Sequence, residues 1–269
     1  MGTVGATVAA TPLPRLAPVT AAPAHGLEPV PPSPAAGLRA VLFDMDGTLV
    51  ETEEYWGEAM FALAGDLGGL MSAEARAATV GTSMRVAMGI LYADLGITRS
   101  PVQAEADVDR VLDDVARMMT ERLIWLPGAQ ELLAEVHAAG LRTALVTTTP
   151  RRLADQVIAH IEAGYPRGGP FGVTVCGDEV PARKPDPAPY LQAMAALGVA
   201  PEECVVIEDS LVGVQAGLAS GAAVLGVAGL QAVPQAPGLV QRPSLAGVGL
   251  AGLVEVLAAR EPVELTARR

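Results

Sequence analysis

Residues 40–50 read AVLFDMDGTLV, and the fold that we expect is built around these eleven residues. Its apolar beginning, bounded at Gly47, predicts a short strand that is buried on both faces. Asp44 and Asp46 follow where that strand should end, which is where ligands bind in an open α/β sheet. Two carboxylates beside a core strand are costly to desolvate unless a cation or hydrogen-bond donors compensate them. An Asx-type turn that only closes the strand is the alternative at this point.

The composition indicates an acidic chain with an aliphatic core. Of the 269 residues, 51% are hydrophobic and 3% are aromatic, which suffices for one large domain or a domain with an inserted module. The net charge of −12 argues against nucleic acid as a partner, because no basic surface is expected. An anionic substrate would therefore need local positive charge from a metal or from a few Lys and Arg residues.

The two cysteines and one long segment without charged residues indicate where in the cell the protein is expected. Cys176 and Cys204 lie in apolar, strand-like runs without metal-ligand spacing, so we expect buried thiols in a reducing, cytoplasmic compartment. The stretch from Ser210 to Gln241 has no charged residue and raises a membrane alternative. Because glycines and prolines divide it into helix, strand and loop lengths, we expect a soluble protein with no membrane partner.

The first half of the chain predicts a tail followed by helices. Residues 1–37 are rich in Ala and Pro, and we expect a flexible tail there. Residues 51–126 read as mostly helical, with apolar residues recurring at helical spacing. The expected helices are Glu51–Leu63, Ala73–Val80, Met84–Leu95 and Pro101–Leu123.

From Pro127 onward helices and strands alternate. This pattern implies βαβ units and a mainly parallel, three-layer sheet with right-handed crossovers. Residues 38–50 and 127–260 would form this core, with residues 51–126 inserted after its first strand and residues 261–269 left as a C-terminal tail. The expected strands are Leu141–Thr147, Phe171–Cys176, Cys204–Ile207, Ala222–Val227 and a weak one at Gly238–Gln241, and the expected helices are Ala129–Ala139, Pro150–Ile161, Pro187–Leu197, Ser210–Ser220 and Leu250–Ala259.

Three further sites fall at strand ends or in the loops just beyond them. Thr147 ends one expected strand, Lys184 lies in a loop after the next, and Glu208 with Asp209 ends a third. Each is commonplace alone: a turn residue, a solvated lysine or a helix cap. Together they place carboxylates, a hydroxyl and a lysine along one rim of one sheet. That combination suits the chemistry of phosphate groups.

These residues carry a resemblance to a known family. The D-x-D-G-T-L-V at Asp44, the K-P-D-P at Lys184 and the I-E-D-S-x-x-G beginning at Ile207 stand in the order found in the haloacid dehalogenase-like superfamily. The resemblance covers roughly residues 38–260. It implies a three-layer, Rossmann-like, doubly wound sheet with an inserted all-helical cap domain, and an aspartyl-phosphate mechanism that uses Mg²⁺.

The resemblance also implies roles for single residues. Asp44 would attack phosphorus, and Asp46 would act as general acid and then as general base. Lys184 would offset negative charge, and Thr147 would donate a hydrogen bond to a phosphoryl oxygen. Backbone N–H groups, including the one near Thr148, would assist.

The same resemblance implies the metal ligands. Mg²⁺ prefers hard oxygen ligands in octahedral geometry. Asp44, the backbone carbonyl of Asp46 and Asp209 would supply them together with waters, and Glu208 would help directly or at one remove.

The resemblance favours a phosphatase, and it leaves three alternatives: a dehalogenase, a mutase and a non-catalytic module. Dehalogenases of this superfamily lack the second aspartate, which is present here as Asp46. Mutases similar to β-phosphoglucomutase carry a histidine twelve residues after the nucleophile, where this chain has Trp56, and tend to have Val in place of Thr48. Both departures favour hydrolysis. A non-catalytic binding or regulatory module would be favoured by loss of a motif residue, and none is lost.

Substrate choice is expected to lie in the inserted helices. Trp56 and residues 80–85 resemble the substrate-facing parts of such caps, although for Trp56 a core position between the inserted helices is slightly favoured. Arg85 would pair with a second anionic group on the substrate, or would be a solvated charge. The run after Thr147 is Thr-Thr-Pro, which departs from the family's usual Asn or Ser and makes the contact from Thr148 distinctive. The expected partner is a small phosphomonoester of the sugar, polyol or glycolate class.

Overall fold

The computed structural model describes residues 37–165 and 168–260. The expected N-terminal tail, apart from Gly37, and the expected C-terminal tail lie outside the described residues. Both expectations stay predictions.

A parallel sheet forms the centre of the fold. The strands of the described residues are β1 Ala40–Phe43, β2 Val50–Glu51, β3 Ile124–Trp125, β4 Arg142–Val146, β5 Val173–Val175, β6 Cys204–Glu208, β7 Ala223–Val227 and β8 Leu239–Arg242. Six of them form one sheet in the order β5-β4-β1-β6-β7-β8, with every neighbouring pair parallel. The expected parallel sheet is therefore confirmed, and β1 lies inside it between β4 and β6.

Helices cover both faces of the sheet and fill the insertion. Within the described residues they are α1 Glu53–Asp66, α2 Ala73–Thr79, α3 Met84–Leu95, α4 Pro101–Arg122, α5 Ala129–Ala138, α6 Arg151–Glu162, α7 Ala188–Leu197, α8 Leu211–Ala219 and α9 Leu250–Ala258. Each of the nine helices expected from the sequence is present, with ends displaced by up to three residues. None of the described helices is long and apolar enough to cross a bilayer.

The alternation of side chains along β1 produces the three layers. Val41 and Phe43 point into one apolar cluster, which includes Leu132 of α5. Leu42 points into a second cluster on the other face, which includes Met194 of α7. Because successive strand residues face opposite sides, an uninterrupted apolar strand must be covered twice.

Local signals fix where the inserted helices begin. The hydroxyl of Ser72 accepts a 3.1 Å hydrogen bond from the N–H of Ala75 at the start of α2. Ser100 and Gln103 form a capping box at the start of α4, where Pro101 occupies the first turn. Such caps satisfy N–H groups that have no partner inside the helix. They explain why these two helix starts are readable from the sequence.

The inserted segment is not purely helical. Val50 of β2 pairs with Trp125 of β3 in a two-stranded antiparallel sheet, where the chain leaves the core and returns to it. These strands are not predicted from the sequence, since two residues are too few to show a period of two. The division of the chain into a core and a separate cap domain stays a prediction.

Candidate active site

The turn after β1 carries both aspartates of the opening motif. The N–H of Asp44 still donates to the carbonyl of Ile207 in β6 at 3.0 Å, so Asp44 extends the central ladder. The chain then turns at Gly47, whose φ is +76°. A Cβ atom at Gly47 would overlap the carboxylate of Asp209. Glycine is therefore required twice, for its backbone conformation and for the close approach of Asp209.

Lys184 joins two buried carboxylates beneath this turn. Its Nζ donates to Oδ1 of Asp44 at 2.6 Å, to Oε1 of Glu208 at 2.5 Å and to the carbonyl of Val146 at 2.8 Å. All three ammonium protons are thus used. Burial disfavours the charged ammonium, but the carboxylates of Asp44 and Glu208 outweigh burial and hold the pKa of Lys184 above its usual value.

Glu208 is held from both ends of its carboxylate. Oε1 accepts a 2.6 Å hydrogen bond from the hydroxyl of Tyr190 in addition to the one from Lys184. Oε2 accepts from the hydroxyl of Ser210 at 3.1 Å. A Cβ atom at Gly213 would fall on this carboxylate, so the first turn of α8 closes tightly over it. Glu208 is fully buried and its position is fixed.

The acidic groups at this edge fit a divalent cation. Carboxylate oxygens of Asp44, Glu208 and Asp209 lie within 4.8 Å of one another. Oδ2 of Asp209 is buried and has no hydrogen-bond partner among the described residues. Burial first, and then the neighbouring carboxylates, raise the pKa values of Asp44 and Asp209 well above the usual value. Buried acids with an unpartnered oxygen need positive charge, and a hard cation would supply it.

Four donors hold the carboxylate of Asp46. Its Oδ1 accepts from the hydroxyl of Thr52 at 2.5 Å and from the indole N–H of Trp56 at 3.2 Å. Its Oδ2 accepts from Thr147 at 3.1 Å and from Thr149 at 2.7 Å. Asp46 therefore bridges the β4 loop and the first inserted helix, and it is held quite differently from Asp44.

A cavity of about 60 Å³ lies above the two aspartates. The lining comes from both the core and the inserted helices: Asp44, Asp46, Glu53, Trp56, Met60, Arg76, Thr79, Gly81, Thr82, Met84, Ala87, Thr148, Thr149, Pro150, Lys184, Asp209 and Ser210.

The structure brings most of the expected site residues together. Asp44, Asp46, Lys184 and Asp209 surround the cavity, and Trp56 and Thr148 line its wall. Thr147 and Glu208 lie behind this lining, where Thr147 contacts Asp46 and Glu208 contacts Lys184. Arg85 is exposed and outside the lining. Arg85 as an anion partner and the carbonyl of Asp46 as a metal ligand stay predictions.

Several residues of the site are not predicted from the sequence. Thr52 and Thr149 contact Asp46, and Tyr190 contacts Glu208. Glu53 and Arg76 line the cavity from the inserted helices. A signal existed for Tyr190 alone, since a tyrosine in an apolar helix needs a hydrogen-bond partner when it is buried.

A family model for haloacid dehalogenase-like hydrolases matches residues 38–221. The chain belongs to this hydrolase family. The match spans the turn with Asp44 and Asp46, the inserted helices, Lys184 and the Glu208–Asp209 pair, so every charged group at the sheet edge lies within it. The resemblance seen in the motifs is confirmed.

Several relatives of this hydrolase are named as phosphatases. The phosphorylated carbohydrates phosphatase of Thermotoga maritima is 35% identical over 182 residues, covering 68% of this chain and 81% of that protein. Hexitol phosphatase A of Escherichia coli is 33% identical over 193 residues, covering 70% and 82%. The crystal structure of CbbY from Rhodobacter sphaeroides in complex with phosphate aligns with a TM-score of 0.67 and 30% identity, covering 80% of this chain and 99% of that one.

Proposed function

We propose that this protein is a cytoplasmic, Mg²⁺-dependent phosphatase that hydrolyses a small phosphomonoester through an aspartyl phosphate on Asp44. One observation carries the proposal: Asp44 and Asp46 line the same cavity but are held by different partners. Asp44 is paired with Lys184, whereas hydroxyl and indole groups hold Asp46. Two carboxylates in different environments suit the two separate roles of nucleophile and general acid–base.

In the first step a carboxylate oxygen of Asp44 attacks phosphorus, and the bond from phosphorus to the leaving oxygen breaks. Asp46 gives its proton to that oxygen, so that the alcohol departs neutral. The product on the enzyme is an acyl phosphate at Asp44.

In the second step Asp46 removes a proton from a water molecule, and the water oxygen attacks phosphorus. The bond from phosphorus to Asp44 breaks, inorganic phosphate forms, and Asp46 is again protonated. Thr52, Trp56, Thr147 and Thr149 keep the Asp46 carboxylate aimed at the reacting oxygen in both steps.

The metal would be held by Asp44 and Asp209, together with the carbonyl of Asp46. It would neutralise charge on the phosphoryl oxygens. Glu208 would support the site without binding the metal directly, because both of its oxygens already accept hydrogen bonds. Lys184 orients the nucleophile and balances its charge, and the backbone of Thr148 would face the phosphoryl group.

The other readings are less well supported. Trp56 stands where a mutase of this type would carry histidine, and its N–H is engaged by Asp46. A non-catalytic module would have no need for the intact set of charged groups at the sheet edge. Two buried, free cysteines are consistent with a reducing compartment and so support a cytoplasmic location.

Release of inorganic phosphate from a panel of substrates tests the proposal. The panel would contain sugar, polyol and glycolate phosphates and a generic aryl phosphate, each with Mg²⁺ and with chelator. We expect release that depends on Mg²⁺ and is abolished by Asp44→Asn. Absence of release from a folded, Mg²⁺-loaded protein, with isomerisation of glucose 1-phosphate when a bisphosphate activator is added, would establish the mutase instead.

A further inference from the structure

A buried ion pair forms part of the cavity wall. Arg76 of α2 donates from one terminal nitrogen to Oε2 of Glu53 at 2.8 Å and to the backbone carbonyl of Glu53 at 2.6 Å. Its other terminal nitrogen donates to the hydroxyl of Thr79 at 3.1 Å. The two charged side chains are only 10% and 12% exposed. Because Glu53 opens α1, the pair also fixes α2 against the start of that helix.

Among the described residues, each basic side chain that lines the cavity is already paired with an acid. Four acids line it, namely Asp44, Asp46, Glu53 and Asp209, and its two basic residues are Lys184 and Arg76. The ammonium group of Lys184 donates its three hydrogen bonds to Asp44, Glu208 and the carbonyl of Val146. The charge of Arg76 is balanced by that of Glu53. A divalent metal would balance the phosphoryl group itself. A second anionic group on the substrate would face only carboxylates and an ion pair without net charge, so no cation among the described residues of the lining would be left to bind it.

The same wall suits hydroxyl groups. The carboxylate of Glu53 can accept hydrogen bonds from alcohols, and a guanidinium has five N–H donors, of which three are used within the described residues. Thr82 adds a hydroxyl group, and Trp56 and Met84 add apolar surface beside the pair. Alternating donors, acceptors and apolar surface match a carbon chain that carries hydroxyls.

We propose that the Glu53–Arg76 pair selects an uncharged, hydroxylated leaving group, such as glycerol or a sugar alcohol, and rejects one that carries a carboxylate or a second phosphate. The inference rests on the proposed phosphatase function and narrows it, since it excludes the glycolate class. The rejection is electrostatic, because Glu53 would face the second anion at close range.

Two substrates of nearly equal size test the proposal. Glycerol 3-phosphate and 3-phosphoglycerate differ in one end group, which is a neutral alcohol in the first and a carboxylate in the second. We expect kcat/KM of the wild-type protein to favour glycerol 3-phosphate by at least about tenfold, as like-charge contacts imply. Equal or reversed preference in the wild-type protein would overturn the proposal while leaving the phosphatase intact.

The variant Glu53→Gln tests whether the negative charge of Glu53 causes this preference. It keeps the shape of the side chain and an acceptor for Arg76 but removes the negative charge. We expect the preference for glycerol 3-phosphate to shrink by about tenfold, chiefly through better use of 3-phosphoglycerate. The neighbouring Glu54→Gln is the matched control, because Glu54 is exposed and lies outside this cavity.

The possible results distinguish a failure of the role of the Glu53–Arg76 pair from a failure of the phosphatase function. An unchanged preference in a folded Glu53→Gln protein would overturn the role of the pair. Failure of the wild-type protein to release phosphate from both substrates and from an aryl phosphate would remove the phosphatase, and this inference with it. If Glu53→Gln did not fold, the wild-type comparison would still decide the selectivity, and Arg76→Lys, which keeps the positive charge, would be expected to preserve the preference.

Discussion

The indole N–H of Trp56 donates to Oδ1 of Asp46 at 3.2 Å, so a residue of the inserted helices holds the proposed general acid–base. Trp56 was expected to contact substrate or to pack in a core. The structure packs Trp56 against the buried core cluster and also places it in the cavity lining, where its N–H contacts Asp46. A contact with substrate stays a prediction. In the proposed mechanism, the position of the Asp46 carboxylate depends on α1.

Trp56→Phe should lower kcat by about tenfold for alkyl phosphates, because the ring remains but the hydrogen bond to Asp46 is lost. Alkoxide leaving groups need the proton from Asp46, whereas a nitrophenolate does not. We therefore expect a much smaller loss with nitrophenyl phosphate. Steady-state kinetics on both substrates measure the difference. Trp125→Phe is the control, since Trp125 lies in β3 and outside the cavity. Equal losses on both substrates would show that Trp56 acts through structure alone.

Tyr190→Phe removes the 2.6 Å hydrogen bond to Glu208 and nothing else of similar strength. We expect a loss of about 1 kcal/mol in the free energy of unfolding and a rise in the Mg²⁺ concentration needed for half-maximal activity. Denaturant titration and Mg²⁺ titration of phosphate release measure the two effects. Tyr92→Phe removes a comparable bond to Asp107 within the inserted helices and should leave the Mg²⁺ requirement unchanged. A normal Mg²⁺ requirement in Tyr190→Phe would argue against a link from Tyr190 to the metal.

Gly47→Ala should abolish activity, because the added methyl group would displace Asp209. A positive φ alone costs roughly 1–2 kcal/mol for a residue with a side chain. Gly96→Ala isolates that cost, since Gly96 has a φ of +65° and nothing within 4 Å of the added atom. Gly47→Ala should lose more stability than Gly96→Ala, because it carries the clash with Asp209 as well as the cost of the positive φ, and Gly96→Ala should remain active. Activity in Gly47→Ala would contradict the close contact between this turn and Asp209.

Mg²⁺ should stabilise the folded protein, because Asp44 and Asp209 are buried acids whose charge a cation would compensate. At a hundred times the dissociation constant, binding adds about 2.7 kcal/mol. For a chain of this size that corresponds to a rise of roughly 5 °C or more in Tm. Thermal unfolding with Mg²⁺ and with chelator measures it. Asp209→Asn should respond far less, and the same rise in that variant would place the cation elsewhere.

The sequence predicted the sheet and the charged edge well, for physical reasons. Asp44, Lys184 and Asp209 follow buried apolar strands, and the ends of parallel strands must meet at one edge. The predicted hydrogen bond from Thr147 to a phosphoryl oxygen stays a prediction. A hydroxyl at a strand end is visible in the sequence, but its direction is not, and the structure turns it towards Asp46.

The part of the cavity lining that comes from the inserted helices could not be predicted from the sequence. Arg76 lies in a short helix whose charged residues look like a solvated face. Its contact with Glu53 depends on how α2 packs against α1, which no local pattern encodes. Arg85, one helix later, has the same chemistry and is exposed. Helical periodicity predicts which residues share a face but not which face meets the cavity.

The central claim is that Asp44 carries the phosphoryl group, and mass spectrometry of acid-quenched protein tests it most directly. The measurement would use an aryl phosphate, Mg²⁺ and the variant Asp46→Asn, which lacks the base for the second step. We predict that this variant gains the mass of one phosphoryl group, located on Asp44 by peptide mapping, and that Asp44→Asn gains none. A phosphoryl group on another residue, or rapid phosphate release by Asp44→Asn, would contradict the account.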